Sequence, residues 1–490
     1  MAKIEWANGL LGPEPRWSSE PDIDLIAAII DERLNCGGPG GVTISPFASG
    51  CFNKLYKIDF LDSSIPACLL RVTLPAYPKY KTESEVATLR WLQRHTTIPV
   101  PEVLAFESSS RTDLGYEWIL MKMLPGKPLS QCWGALSLEQ KERIIKKIAN
   151  YHYQLLQREN AQSKIGSLQL PHTESSKQDQ HTRESVVGAM VHMPFIFGEH
   201  ADSTIQRGPY DSISAWYRAW LIELALIEDK IRLTWDDCEG LEQSGKHLAN
   251  GKALKELILE HTTLNDAAPT FLTHHDLHHG NILIDDAGNI TGLVDWEFTL
   301  FAPKYRAFST PKFLRSDFRD EEPVADEYPD ASPGQDTEWE KPMKNLVNMR
   351  GKNNDRYGED YFDWETTQLR RLYWEELDRL CPRTEDEEVA DDLLLNFELA
   401  VDGCMDFWTQ GITSSWVREM LESEKGPAKR TSKRAAAMKE HRRGNMSNGA
   451  GNTVGSEEHM DEKFVEQTAN AKKTLLGMCG TEATGVKVGR

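Results

Sequence analysis

The chain has 490 residues, 39% of them apolar and fourteen of them tryptophan, and a formal net charge of −20. Such a length exceeds one ordinary core and predicts two lobes or domains with tails. The acidic balance argues against nucleic acid or an anionic membrane as a partner for the body of the protein.

Eight cysteines at 36, 51, 68, 132, 238, 381, 404 and 479 form no CxxC pair. Neither a zinc ribbon nor a disulfide framework is signalled, and a reducing compartment is expected. "MAKIEWANGL" has no basic region followed by an apolar run, and about eighteen apolar residues never run together. A soluble, cytoplasmic protein is therefore expected.

Residues 1–39 read as an N-terminal extension, and 40–125 as a β-rich region with one helix. "NKLYKIDF" alternates at period two and "ACLLRVTL" is a short apolar strand. "TESEVATLRWLQRH" (82–95) predicts an amphipathic helix, with Thr82 as its cap and Glu85 at the capping-box spacing. "YEWILMKML" comes next as a strong strand, ended by "PGKPL". From 126 to 424 the pattern is mostly helical. "LSLEQKERIIKKIANYHYQLL" carries apolar residues at three-and-four spacing. "DSISAWYRAWLIELALIEDKIRL" (211–233) predicts another helix. Its aromatics are expected in a core, with a cage for a cation as the alternative.

Residues 317–340 hold ten acidic residues and one arginine, with Pro323, Pro329 and Pro333 between them, and predict a solvated loop or lid. Residues 425–490 read as a disordered polar tail. Its first part, 425–443, is basic, which makes a nuclear address a secondary expectation.

The stretch "HHDLHHGN" (274–281) places four histidines around one aspartate and one asparagine. "ILIDDAGNITGLV" after it predicts a hairpin: apolar 282–284, a turn over 285–289 in which Asp285 and Asp286 are turn residues, and a second strand at 290–294. In simple register Asn281 comes alongside Asp295. A carboxamide oxygen beside a carboxylate suits hard oxygen ligation of Mg²⁺, whereas imidazoles favour zinc, and alternate positions in a tight loop rarely converge on one ion. Asp276 precedes Asn281 by the five residues of a kinase catalytic loop. There it would accept the proton of an acceptor hydroxyl while Asn281 and Asp295 hold the metal.

With "DWE" at 295–297, these motifs resemble the aminoglycoside phosphotransferase family of kinase-like enzymes, in its fungal-type form. The resemblance runs from about residue 40 to about 425, and His275 stands where that family usually has glycine. It implies an α+β, two-lobed protein-kinase-like fold, with a β-rich N-lobe over 40–125 and a larger, mostly helical C-lobe over 126–424. It further implies that Arg71 contacts the α/β-phosphates of ATP, that Glu85 pairs with Arg71, and that the backbone at Lys122 and Met123 holds adenine. Glu83, in the same helical turn, is the competing partner for Arg71. The phosphate-covering loop would lie at 45–56, where Gly50 is the one glycine. His274 would prop the loop backbone.

The function so implied is ATP- and Mg²⁺-dependent transfer of the γ-phosphoryl group to a hydroxyl of a small molecule, amine-bearing if the acidic 317–340 segment lines the pocket. The alternatives are a catalytically silent nucleotide-binding relative, a protein kinase, disfavoured by the lack of an A-P-E-type docking segment, and a metal hydrolase built from the histidines.

Overall fold

The computed structural model describes residues 4–9, 12–160, 163–171, 185–196, 205–221, 250–255, 268–316, 318–324 and 356–384, with single positions between 387 and 401. The helix expected beyond 221, most of the acidic 317–340 segment and the tail at 425–490 lie outside these residues.

The described residues fall into two units. One takes the chain up to residue 211 and again from 268 to 387; the other takes 212–221, 250–255 and the positions from 391 to 401. In the second unit, Trp216, Tyr217 and Trp220 are buried on a helical segment over 213–221, with Trp216 stacked on Trp220 at 5.9 Å between ring centres. They pack as core, as their apolar bulk dictates.

The first unit opens with a hairpin of β1 (Glu5–Gly9) and β2 (Gly12–Arg16) and a helix, α1 (Ile23–Leu34), capped by the Asp22 side chain. This extension is bonded to the rest of the unit. Tyr116 donates its hydroxyl to the Ser19 carbonyl at 2.8 Å, and Lys54 lies over the Trp17 ring at 4.7 Å and pairs with Glu20.

A five-stranded antiparallel sheet then forms in the order β3 (Val42–Ser49), β4 (Asn53–Phe60), β5 (Cys68–Thr73), β7 (Glu117–Lys122), β6 (Val103–Glu107). Its central strands carry Ile58, Leu70, Val72 and Leu120, all without exposed surface. The helix α2 (Tyr80–His95) contributes Val86, Leu89 and Leu92 to the buried side. It starts two residues earlier than expected, and Thr82 is not its cap. Glu117 of β7 accepts from the Lys79 N–H at 2.7 Å and from the Thr82 hydroxyl at 2.5 Å, so a distant carboxylate does the work of the local cap.

After β8 (Lys127–Pro128), α3 (Leu138–Leu156) begins with a reciprocal capping box, Ser137 against Gln140. It packs on α4 (Arg356–Leu380). Short strands β9 (Ser167–Gln169), β10 (Val186–Gly188), β11 (Thr270–Thr273), β12 (Ile282–Ile284), β13 (Ile290–Leu293) and β14 (Leu300–Pro303) complete the unit, with β11 on β14, β9 on β10 and β12 between β13 and β8. The one described piece of the acidic segment, 318–324, is held to α4 by Arg319 on Asp360 at 2.9 Å and Asp320 on Arg371. The fold is the expected α+β, kinase-like one: a β-rich small lobe followed by a mostly helical one. No helix among the described residues is long and apolar enough to cross a membrane.

A buried ion pair fastens α3 to α4. Lys141 reaches Glu365 at 2.6 Å and lies 5.0 Å over the Trp133 ring, with both charges under a tenth exposed. Removing one partner strands the other charge, so Lys141→Ala should cost about 3–5 kcal/mol in urea unfolding. The paired change Lys141→Met with Glu365→Leu should recover most of that loss. An equal loss in the double variant would overturn this account.

Candidate active site

The β12–β13 hairpin turns through Asp285–Asn289. Asp285 N–H donates to the Asn289 carbonyl, and Gly288, at φ +83°, takes the left-handed position. The pairing slips by one residue between Leu283 and Ile284. Thr291 is the extra residue, and its hydroxyl donates to the Pro125 carbonyl at 2.6 Å. The turn is centred on Ala287, which alone would set Asn281 against Leu293; the bulge moves the partner on to Val294, one short of the Asp295 that simple register predicts, and the Val294 N–H donates to the Asn281 carbonyl at 3.0 Å.

Each histidine of the 274–281 loop has its own neighbours. His274 accepts from the Asp276 N–H at Nδ1 (3.2 Å), so its Nε2 carries the proton and donates to the Val294 carbonyl at 3.1 Å. His275 accepts from the Arg306 guanidinium at 3.2 Å. His278 accepts from the Gly280 N–H, and His279 is buried against Trp133 and Phe313. Four imidazoles with four separate tasks do not form a zinc site.

Asn281 donates its side-chain amide to the Asp276 carbonyl at 2.8 Å. That bond fixes the 274–281 loop on itself and leaves the amide oxygen as the atom with which the asparagine could meet a cation. Asp276 is half-exposed and accepts from Lys312 Nζ at 2.7 Å, with His278 at 3.7 Å on its other oxygen.

Arg71, on β5, is buried and meets three carboxylates: Glu85 of α2, Asp295 at 3.2 Å and Glu297 at 2.6 Å. Glu85 is thus the partner of Arg71. Glu83 instead accepts from the Ser108 hydroxyl at 2.9 Å. A second buried cation, Lys81, reaches Glu297 at 2.6 Å, Thr73 at 2.8 Å and Asn53 at 3.1 Å. Burial opposes the charge on Arg71, but the three carboxylates outweigh it and raise its pKa. Burial also works against Glu297, yet Lys81 and Arg71 hold it down at about 2. Glu85 is pushed up to about 7 by burial, which the Arg71 contact only partly offsets. Asp295 is raised by burial and by its neighbour Glu297.

Three carboxylates against two cations leave a negative excess, concentrated at Asp295, which is the most exposed of the three. An oxygen donor set with surplus negative charge suits a divalent hard cation, and the free amide oxygen of Asn281 adds a neutral ligand. These residues fit Mg²⁺.

The remaining expected contacts differ in availability. Lys122 and Met123 spend their amide N–H groups on the Glu102 and Ala67 carbonyls, at 2.9 and 3.3 Å, and the Lys122 ammonium pairs with Glu102. The Gly50 N–H closes the β3–β4 turn on the Asn53 carbonyl at 2.8 Å. Lys81, Lys312 and Arg306 were not anticipated from the sequence. Each reads locally as a surface cation, and only the tertiary structure sets it against a carboxylate or an imidazole.

Residues 43–305, just over half of the chain, match the model of the phosphotransferase enzyme family (APH). The chain belongs to this family. Among curated proteins, a subtelomeric hrmA-associated cluster protein of Aspergillus fumigatus is 29% identical over 169 residues, 34% of this chain and 32% of that protein. Clavilactone A biosynthesis cluster protein Y of Ampulloclitocybe clavipes is 27% identical over 242 residues, 48% of this chain and 54% of that protein. The matches thus span about a third to a half of the length of these relatives. Among solved structures, a putative aminoglycoside phosphotransferase from Ralstonia eutropha is 15% identical, with TM-score 0.41, covering 86% of this chain and 97% of its own. A putative fructosamine-3-kinase from Thermobifida fusca is 13% identical, with TM-score 0.40, covering 84% and 100%. None of these speaks to the acceptor of this phosphotransferase family member.

The enclosed imidazoles make stability depend on pH. Burial holds His152 and His274 at about 4 and His279 at about 3, and pushes His192 and His275 well below their ordinary value. These folded-state values lie below that of the unfolded chain, near 6.5, so the unfolded chain binds more protons as the pH falls. The stability is present above about pH 6.5 and drains away toward pH 4, at about 1.4 kcal/mol per pH unit for each imidazole fully protonated on unfolding. The thermal midpoint should fall steeply between pH 6.5 and 5, with a shallower slope in His279→Gln. A flat profile would count against neutral buried imidazoles.

Proposed function

We propose that this protein transfers the γ-phosphoryl group of ATP to a hydroxyl of a small molecule, with Mg²⁺ and with Asp276 as the general base. One observation carries the reading: the bonds that tie Asn281 to both Asp276 and Val294, directly before Asp295, while Arg71 joins Asp295 to Glu85. Base, metal donors and phosphate-side cation thus belong to one bonded assembly.

In this mechanism the acceptor hydroxyl lies against the free edge of the Asp276 carboxylate and gives it a proton as its oxygen attacks phosphorus. Asn281 Oδ1 and the Asp295 carboxylate would hold Mg²⁺, which when bound neutralises charge on the phosphates. Arg71 would contact the α/β-phosphates, and Glu85 holds it from α2. With the Lys122 and Met123 amides committed to the sheet, the hinge N–H left for adenine is that of Leu124, which has no partner among the described residues.

The engagement of Arg71 by three carboxylates favours a second reading, a protein that binds nucleotide without turning it over. ADP release separates the two. A panel of sugars, amino alcohols and other hydroxyl compounds is offered with Mg·ATP, and turnover should appear in the wild type and fall on the order of 10²–10⁴-fold in Asp276→Ala. Asp295→Asn should abolish the magnesium dependence of nucleotide binding measured by calorimetry. Tight Mg·ATP binding with no ADP formed against any acceptor would select the silent alternative.

A further inference from the structure

Lys312 opens a short 3₁₀ turn, Lys312–Leu314, that no motif of the catalytic loop announces. The turn is fastened to that loop from beneath. The Phe313 N–H donates to the Leu277 carbonyl at 3.1 Å, and the Phe313 ring meets His279 at 5.5 Å and Trp133 at 6.4 Å edge-to-face. Leu314 has no exposed surface, and Arg370 of α4 donates to the carbonyls of Leu314 and Ser316. With its two following residues buried, the turn has little freedom. Its first side chain is presented on the open side, with Nζ 2.7 Å from Asp276 Oδ1 and both side chains about half exposed.

As a structural ion pair this contact would count for little, because half-exposed pairs are screened by water. Its place is what matters. An acceptor hydroxyl bound to Asp276 lies about 3 Å from the carboxylate, and the phosphorus about 3–3.5 Å further on. An ammonium hydrogen-bonded to the same carboxylate is within one side-chain swing of the phosphoryl oxygens.

Resting on the phosphotransferase reading, we propose that Lys312 is a catalytic residue whose ammonium passes from the Asp276 carboxylate to the migrating phosphoryl group. As the acceptor oxygen bonds to phosphorus, its proton goes to Asp276. The bond from the γ-phosphorus to the bridging oxygen breaks, and ADP leaves with that electron pair. Protonation neutralises Asp276 and weakens its hold on Lys312 at the moment when charge gathers on the phosphoryl oxygens. Lys312 keeps its own proton throughout.

The test needs no acceptor. Binding of Mg·ADP to the full chain is measured with and without aluminium fluoride, which mimics the phosphoryl group in flight. Wild type should bind ADP more tightly with the fluoride present. Lys312→Met should lose that gain on the order of 10²-fold or more, with ADP alone held within about threefold and the thermal midpoint unchanged. Lys312→Arg should keep part of the gain, since it keeps the charge. A gain equal to wild type in Lys312→Met, or no gain in wild type that still binds Mg·ADP, overturns the role of Lys312 and leaves the phosphotransferase reading standing. A wild type that binds no Mg·ADP overturns that reading and this inference with it.

Discussion

The buried guanidinium of Arg71 is the constraint around which the small lobe and the segment after β13 are organised. It touches one carboxylate from α2 and two from the segment after β13, so three parts of the chain must agree on one position. Such a network is poor at generating stability, because taking charges out of water costs about as much as their attraction returns. It is effective at forbidding alternatives, since moving any member strands a buried charge. The backbone reflects this. Asp295 and Phe298 adopt φ of 65° and 59°, a region that costs side chains on the order of 1–3 kcal/mol and persists only where the surroundings over-determine it. Arg71, Lys81 and Asn53 hold Asp295 and Glu297 from the sheet side and supply that determination.

The aromatic contacts run parallel to the ionic ones. Trp6 of the N-terminal hairpin meets Phe52 edge-on at 6.3 Å, and Phe52 meets Phe298 at 6.2 Å. The extension, the β3–β4 turn and the segment after Asp295 therefore share one packed seam. A sequence stretch that reads as an extension of the domain is part of the frame around the Arg71 cluster.

Much of this was legible because it is local. The strand at 53–60, the amphipathic helix at 138–156 and the 282–293 hairpin arise from periodicity and turn chemistry among near neighbours in the chain. The pairing of Glu85 with Arg71, given by the family pattern, holds in the structure while Glu83 turns to Ser108. What escaped was non-local. The turn centred on Ala287 set the register two residues short of the expected pair, and the bulge at Thr291, stabilised by a bond to Pro125 more than 160 positions away, recovered one of them. The start of α2 was set by Glu117 from another strand, so the local capping box at Thr82 lost to a carboxylate the sequence places 35 positions off. Lys81 sits in the first turn of an amphipathic helix, where lysine ordinarily faces water, and nothing near it in the chain reveals the acid it meets.

The distribution of cations over the site's acids is uneven, and the unevenness is informative. Glu297 has Lys81 and Arg71, Asp276 has Lys312, and Glu85 has Arg71. Asp295 has only a shared, longer contact with Arg71 at 3.2 Å, and its proton affinity is raised by burial and by the Glu297 charge beside it. A carboxylate whose one cation contact is shared and long, and whose side chain is the most exposed of the cluster, is where added positive charge gains most, because its attraction is not already spent. A univalent side chain there would satisfy Asp295 permanently and close the site to phosphate. A dissociable divalent ion answers the same deficit and brings unfilled coordination positions with it. The arrangement of Lys81, Arg71 and Lys312 thus does more than balance charge: within the Arg71 cluster it leaves Asp295 the acid with the most exposed side chain and the longest cation contact.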